Sequence, residues 1–358
     1  MSIKQKGSET CRMPAEWELH EATWLSWPHD QETWPRDLSE LESVYLEMIQ
    51  YLHTGEKVNI LAEDKKSADA ILKKLLARGI SKNVFIHLIK TNSPWIRDYG
   101  PIFVGKKGER IVTDWMFNAW GKKYAPFDQD DSVPERMSRL MNLEHFPVPM
   151  VLEGGSVEVN GLGTCITTKE CLLHPNRNPN FPPNKMADPP FSLAERKKEI
   201  EKNLSEFLGS RNTIWLQGGI AGDDTDGHVD EVARFVDSHT IVAALEEDSL
   251  DPNHQVLKEN RNLLSKAQDQ DGNPFKIIDL PMPKPIERNQ TRFPASYLNF
   301  YIANECVLVP VFGDKNDTKA LGILKSLFSA RMVIGIPAFP LVYGQGAIHC
   351  ITQQEPAS

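Results

Sequence analysis

Cysteine is scarce and unpaired in this sequence. The five residues Cys11, Cys165, Cys171, Cys306 and Cys350 stand among 358, with no CxxC spacing. An odd count without close pairs argues against a disulfide framework and against a cysteine zinc site, so no metal is expected. Long hydrophobic runs are missing as well. Nothing approaches the roughly 18 apolar residues of a membrane span, and residues 1–14 are polar, without the apolar core of a signal peptide. The expectation is a cytoplasmic protein with no membrane partner. Basic clusters are also lacking: the net charge is −9, with no block of lysine or arginine. Nucleic acid is therefore a poor partner, because phosphate neutralisation needs clustered cations. Mild acidity draws cations in, although solubility alone accounts for the total. No linker or low-complexity tract interrupts the chain, which predicts one domain over 1–358 with a short polar extension over 1–12.

What is present is a regular alternation. Leu41, Val44, Tyr45, Met48, Ile49 and Leu52 form one helical stripe over 37–52, with Ser39 and Glu42 spaced as a capping box. Residues 67–78 and 192–208 read the same way, the latter with Ser192 and Glu195 as the box; weaker helices fit 133–142, 254–267 and 314–329. Single strands fit 58–61, 84–89, 148–152, 213–216, 276–280 and 332–336, and hairpins fit 102–116, 157–167, 233–245 and 297–311. The order hairpin, helix, single strand, polar loop repeats with a period of roughly 70 residues (358 divided by five), longer than common solenoid repeats. The amino-terminal part fits less cleanly. Charged and glycine-bearing residues recur in the polar loops, which suggests a closed α/β ring whose equivalent loops meet on an axis.

Those loops carry the chemistry. Cys350, in the apolar strand-like run Gly346-Ala-Ile-His-Cys350-Ile-Thr352, follows a glycine-bearing turn that frees its side chain to face a cavity, which makes it the candidate nucleophile; Cys165, Cys171 and Cys306 read as buried structural thiols. Gly222-Asp-Asp-Thr-Asp-Gly-His-Val-Asp230 fails as a calcium loop, since Gly222 stands first and Ala233 twelfth. Read as a strand entry, it places His228 and Asp230 on one face. In Asn92-Ser-Pro-Trp-Ile-Arg-Asp-Tyr-Gly-Pro101, an extended backbone lets Asp98 face a site while Arg97 anchors the loop elsewhere, and Trp95 offers an aromatic wall for a cation. Glu153 ends an apolar strand ahead of Gly154 and Gly155. Two carboxylates grip a planar guanidinium through paired hydrogen bonds, and a ring of acids should raise the thiol pKa until a cation arrives.

Trp95-Ile-Arg-Asp-Tyr-Gly-Pro, Leu152-Glu-Gly-Gly-Ser, Asp224-Thr-Asp-Gly-His-Val-Asp, Ala295-Ser-Tyr-Leu-Asn-Phe-Tyr-Ile-Ala-Asn and Gly346-Ala-Ile-His-Cys-Ile-Thr-Gln-Gln-Glu-Pro occur in this order over residues 13–356. Together they resemble the agmatine deiminase and bacterial peptidyl-arginine deiminase family. The resemblance implies the pentein fold, a five-bladed α/β propeller with pseudo-fivefold symmetry. It implies that Cys350 attacks a guanidinium carbon, that ammonia leaves, and that water hydrolyses the covalent amidino intermediate. His228 would protonate the leaving amine and then activate water, with Glu153 orienting His228 or binding the guanidinium edge. Asp98 and Asp230 would bind guanidinium nitrogens, while Trp95 and Asp224 would line the tail pocket and Asp224 would pair with the distal ammonium of agmatine. No cofactor is implied, and a homodimer is the assembly expected of this class.

The sequence departs from the family pattern at Gly344-Gln345-Gly346-Ala347, where agmatine members often carry three glycines and an asparagine. It departs again at Asp226, where many have asparagine, and at Tyr99, which matches the peptidyl-arginine branch. Agmatine is the leading substrate and peptidyl-arginine the alternative within the class. From another class, a Cys-His amide hydrolase or transferase would need an oxyanion hole and no ring of carboxylates. A non-catalytic guanidinium-binding protein is the third reading, disfavoured by the presence of both Cys350 and His228.

Overall fold

The structure is a computed structural model that describes residues 11–29, 38–106, 108–179 and 191–358. Residues 1–10 of the expected extension and Asp37 at the expected helix start lie outside the described residues.

The fold is mixed α/β, and one sheet pattern recurs five times. In four sheets an antiparallel pair is followed by a parallel strand: Ile102–Lys106, Glu109–Met116 and Glu144–Val151; Glu158–Val159, Thr164–Thr168 and Asn212–Leu216; Ala233–Phe235, Thr240–Leu245 and Lys276–Pro281; Tyr301–Ile302, Cys306–Val311 and Met332–Pro337. The fifth explains why the amino-terminal part reads irregularly. Its antiparallel pair joins His20–Ser26 to Thr352–Pro356 from the far end of the chain, before Lys57–Ala62 and Val84–Leu88 add in parallel. A two-stranded ribbon, Ile286–Arg288 with Thr291–Phe293, falls outside the pattern.

Burial grades outward across each sheet. The central strands Thr164–Thr168 and Thr240–Leu245 are buried almost throughout, whereas the parallel strands Val84–Leu88 and Met332–Pro337 are half-exposed. Amphipathic helices cover the outer strands. Helix Ser39–Gly55 buries Leu41, Val44, Tyr45, Met48, Ile49 and Leu52, the stripe read from the sequence. Its expected capping box is not formed: Leu38 takes the N-cap position with no side-chain cap, and the Glu42 carboxylate instead accepts from the Trp27 indole at 3.2 Å and from Lys74. The Ser192 and Glu195 box is formed at Leu193–Asn203, after which the backbone widens into a π-turn over Leu204–Leu208.

Candidate active site

Three backbone turns bring the predicted residues together, and each differs in detail from the sequence reading. Asp98 lies not on an extended segment but on a single helical turn, Ile96–Tyr99. The turn itself directs Asp98 inward and leaves Arg97 to tie it down: the buried guanidinium donates to the His349 carbonyl at 3.3 Å and to Gln354 Oε1 at 2.7 Å. His228 and Asp230 share a site without forming a strand. His228 precedes a 3-10 turn over Val229–Glu231, reached through left-handed backbone at Asp226 (φ 65) and Gly227 (φ 87). A side chain at Gly227 would sit 2.6 Å from the Gly219 amide, so glycine is required there. Asp223 gathers this loop, accepting from the amides of Thr225, Gly227 and His228. Cys350 likewise occupies a 3-10 turn, His349–Ile351, rather than a strand; the strand Thr352–Pro356 begins just after it.

The turns converge at Gly155, in the 3-10 turn Gly154–Ser156 that follows Glu153. A Cβ at Gly155 would lie 2.6 Å from His228 Nδ1, 2.8 Å from Asp98 Oδ1 and 3.1 Å from Asp230 Oδ2. Absence of a side chain at this point lets an imidazole and two carboxylates surround one small space. His228 Nδ1 stands 3.6 Å from Asp98 Oδ1, and its Nε2 stands 4.0 Å from Glu153 Oε2. Both nitrogens of His228, Asp230 Oδ1, Glu153 Oε2 and Glu231 Oε2 are buried without a hydrogen-bond partner. Buried polar atoms are almost always paired, and these five, on residues that act on one another electrostatically or lie side by side, are not.

Electrostatics agree. Burial, with Glu153 beside it, pushes Asp98 up to about 7, against the donors Trp120 Nε1 at 2.9 Å and Gly155 N at 3.1 Å. Burial and then Asp98 push Asp230 well above the carboxylate range, and burial and Asp230 do the same to Glu231. Burial and the nearby Arg177 hold His228 neutral, well below its ordinary value. The Cys350 thiol is pushed well up by burial, then by Asp230, Glu231 and Asp98, the direction the ring of acids implies. A guanidinium here would draw the acids and the thiol back down, and would hold His228 neutral as Arg177 already does.

Cys350 opens on a cavity of about 690 Å³ whose walls include Trp95, Asp98, Trp120, Tyr124, Asp224 and Gln345. His228, Glu153 and Asp230 are not among its lining residues and sit deeper, beside Gly155. Trp95 packs its ring against Gly346, where a Cβ would lie 2.4 Å from Cζ3. Asp224 stands in the wall, its carboxylate accepting from the Tyr124 hydroxyl, and burial pushes it up to about 6. The other four cysteines are buried free thiols; Cys171 lies on the helical turn Lys169–Leu172 rather than on a strand or hairpin.

Several neighbours were not singled out in the sequence. Asn299 Nδ2 lies 3.3 Å from the Cys350 sulfur, and its Oδ1 receives the amides of His349 and Cys350 at 2.9 and 3.3 Å. Arg177 donates to Glu153 at 2.6 Å, to Asp226 at 2.7 Å and to the Thr225 carbonyl at 2.7 Å. Trp120 and Glu231 complete the group. Asn299 lay inside a quoted motif; Trp120 and Arg177 carried no local signal. Glu153, Cys171 and His228 offer ligand atoms within 4.8 Å of one another. Arg177, seated on Glu153, sets a full positive charge against a cation there.

A thiol, a neutral imidazole and buried acids thus meet on a repeated α/β scaffold. The chain belongs to the Porphyromonas-type peptidyl-arginine deiminase family, whose sequence profile matches residues 12–356. It is 34% identical over 351 residues to a Legionella pneumophila protein named "Putative agmatine deiminase", covering 97% of this chain and 95% of that one. Among solved structures it is similar to the agmatine deiminase of Enterococcus faecalis (31% identity, TM-score 0.88, 99% and 98% of the two chains). It is also similar to a cysteine-to-serine variant of C. jejuni agmatine deiminase with substrate bound (31% identity, TM-score 0.83, 96% of each chain). Among the described residues, no helix is long and apolar enough to cross a membrane.

Proposed function

We propose that this protein is an agmatine deiminase, converting agmatine and water to N-carbamoylputrescine and ammonia. The observation that carries the reading is the set of unpartnered buried atoms on Asp230, Glu231, Glu153 and His228, around a space opposite a thiol. Asp98 and Asp230 take the guanidinium nitrogens. With the substrate cation beside it the thiol is no longer held protonated, so Cys350 loses its proton to neutral His228 and the sulfur adds to the guanidinium carbon. His228 returns the proton to the departing nitrogen, and ammonia leaves an amidino group on sulfur. His228 next takes a proton from water, oxygen adds to the same carbon and the C–S bond breaks; the imidazolium returns its proton to the sulfur and the O–H proton of the product passes to solvent, releasing the neutral urea. Glu153, itself held by Arg177, keeps the imidazole turned towards this space. Trp95 lies along the methylene chain, and Asp224 pairs with the distal ammonium.

The same reading takes the five sheets as blades of a closed pentein propeller within one domain. The fivefold recurrence of hairpin and parallel strand, and the pairing of Thr352–Pro356 with His20–Ser26, support that closure. It takes the protein as cytoplasmic and homodimeric, without a cofactor. A side-by-side product assay on agmatine, free arginine and an arginine peptide tests the substrate. Agmatine should be turned over at least tenfold more efficiently than either, and preference for the peptide would replace this reading with peptidyl-arginine deimination. Cys350→Ala should abolish ammonia release while agmatine binding stays measurable by calorimetry; turnover in that variant overturns the chemistry.

A further inference from the structure

His349, one residue before the candidate nucleophile, is bonded on both ring nitrogens by acids. Its Nδ1 lies 2.7 Å from Asp230 Oδ2 and its Nε2 lies 2.8 Å from Glu16 Oε2. A neutral imidazole has one donor and one acceptor, so two ionised carboxylates cannot both be satisfied by a neutral ring. Either the ring is a cation or one of the acids carries a proton.

The surroundings distinguish the two acids. Glu16 accepts from Arg234 NH2 at 2.8 Å and from the Ile302 amide at 2.8 Å, and Arg97 NH2 stands at 3.4 Å. Burial opposes its charge, but Arg234, His349 and Arg97 together hold Glu16 well below the carboxylate range. Asp230 faces Asp98, Glu231, Asp223 and the Cys350 thiol at close quarters, with Arg234 and Arg97 as its countercharges and His228 across Gly155. Its second oxygen has no partner. Burial, Arg234 and Arg97 hold the His349 ring well below its ordinary value, so without a cationic ligand the proton belongs on Asp230, with Nδ1 of His349 accepting it and Nε2–H donating to ionised Glu16.

We propose that His349 is a positioning residue that acts through Asp230: when a guanidinium enters, the Asp230 proton moves to His349 Nδ1, leaving an imidazolium between two carboxylates. This rests on the guanidinium reading above. The O–H bond of Asp230 breaks, the N–H bond of His349 forms, and the pair gains no net charge. The pair keeps the empty pocket from holding an uncompensated buried carboxylate, which would be strongly destabilising, yet presents a charged one on demand. No proton needs to cross to solvent from this pair.

The test uses full-length Cys350→Ala protein with 15N-labelled histidine, agmatine as the probe, and His349 assigned through its own backbone amide. Without agmatine, Nδ1 of His349 should resonate as an unprotonated ring nitrogen. With agmatine bound, both nitrogens should shift to imidazolium positions. In parallel, calorimetry in buffers of different ionisation enthalpy counts protons released on binding. Adding His349→Gln to Cys350→Ala should raise that count by about one per site, because Asp230 must then discharge to solvent. Agmatine bound with Nδ1 unmoved overturns this inference alone, as does an unchanged proton count. Agmatine failing to bind removes the substrate reading and this inference with it. Should the double variant not fold, the resonance measurement decides by itself.

Discussion

Gly155→Ala is the sharpest test of the site because it adds one methyl group and no charge. The new Cβ would stand 2.6 Å from His228 Nδ1 and 2.8 Å from Asp98 Oδ1, where ordinary contact begins near 3.4 Å. The imidazole must then retreat by about 0.8 Å (3.4 minus 2.6) and the carboxylate by about 0.6 Å (3.4 minus 2.8). Both are hemmed in, Asp98 by Trp120 and His228 by the loop that Asp223 gathers. Overpacking of this size costs about 1–3 kcal/mol of stability, which lowers Tm by no more than several degrees in a chain this long. A displacement approaching 1 Å at reacting groups costs about a hundredfold in rate. The expected result is a kcat/KM for agmatine, read by carbamoyl-product and ammonia assays, down about a hundredfold in a protein still folded at assay temperature. Gly322→Ala is the control: on the exposed side of helix Asp317–Leu327, its Cβ meets no atom within 4 Å. It should keep full activity and gain slightly in Tm. Gly155→Ala with kcat/KM within threefold of the parent refutes the claim that His228, Asp98 and Asp230 act across this one space.

Three further outcomes follow from the same geometry. Arg177→Leu strands Glu153 as a buried unpaired acid, and urea denaturation should show a loss of about 3–5 kcal/mol; a loss below 1 kcal/mol contradicts the pairing. Asp98, pushed up to about 7, binds its proton more tightly folded than unfolded, so its contribution to stability is lost as pH rises from about 4 to about 7. Asp98→Asn should therefore gain Tm relative to the parent between pH 5 and pH 8 while losing activity, and parallel Tm curves would show that Asp98 does not titrate there. Asp224→Asn should raise KM for agmatine about tenfold, near 1.4 kcal/mol, and leave arginine methyl ester less affected. Equal effects on both substrates would place the distal ammonium elsewhere.

The sequence was more informative about which residues meet than about how they meet. Helix Ser39–Gly55 was legible because six apolar residues share one stripe, whereas its box failed because Trp27 and Lys74 claim Glu42 through tertiary contact. Strand Glu144–Val151 is legible only in its second half, because Pro147 and Pro149 interrupt the strand pattern. The strand Thr352–Pro356 was unreadable as a core element, since Gln353, Gln354 and Glu355 look like surface and are buried. They stay there because long-range donors and acceptors meet them: Gln354 accepts from Arg97, and Glu355 accepts from the Trp24 indole at 2.7 Å. In the site, Cys350, His228, Asp98, Asp230 and Glu153 stand out by chemical type, but an extended or strand reading misplaces Asp98, His228, Asp230 and Cys350. Those four sit on or beside three tight turns, and such turns leave no periodic trace. Arg177 and Trp120 act through distant partners, so nothing local marks them.

The strand that follows the thiol has a consequence for when this protein becomes competent. Trp24 and Glu355 are joined across 331 positions, so a chain leaving the ribosome displays every acid of the pocket long before it displays the sulfur. The sheet that receives Thr352–Pro356 pairs it with His20–Ser26, and closing so long a loop is among the slower steps available to a folding chain. Until Thr352–Pro356 docks on His20–Ser26, the acids of the pocket would stand without the sulfur that precedes that strand.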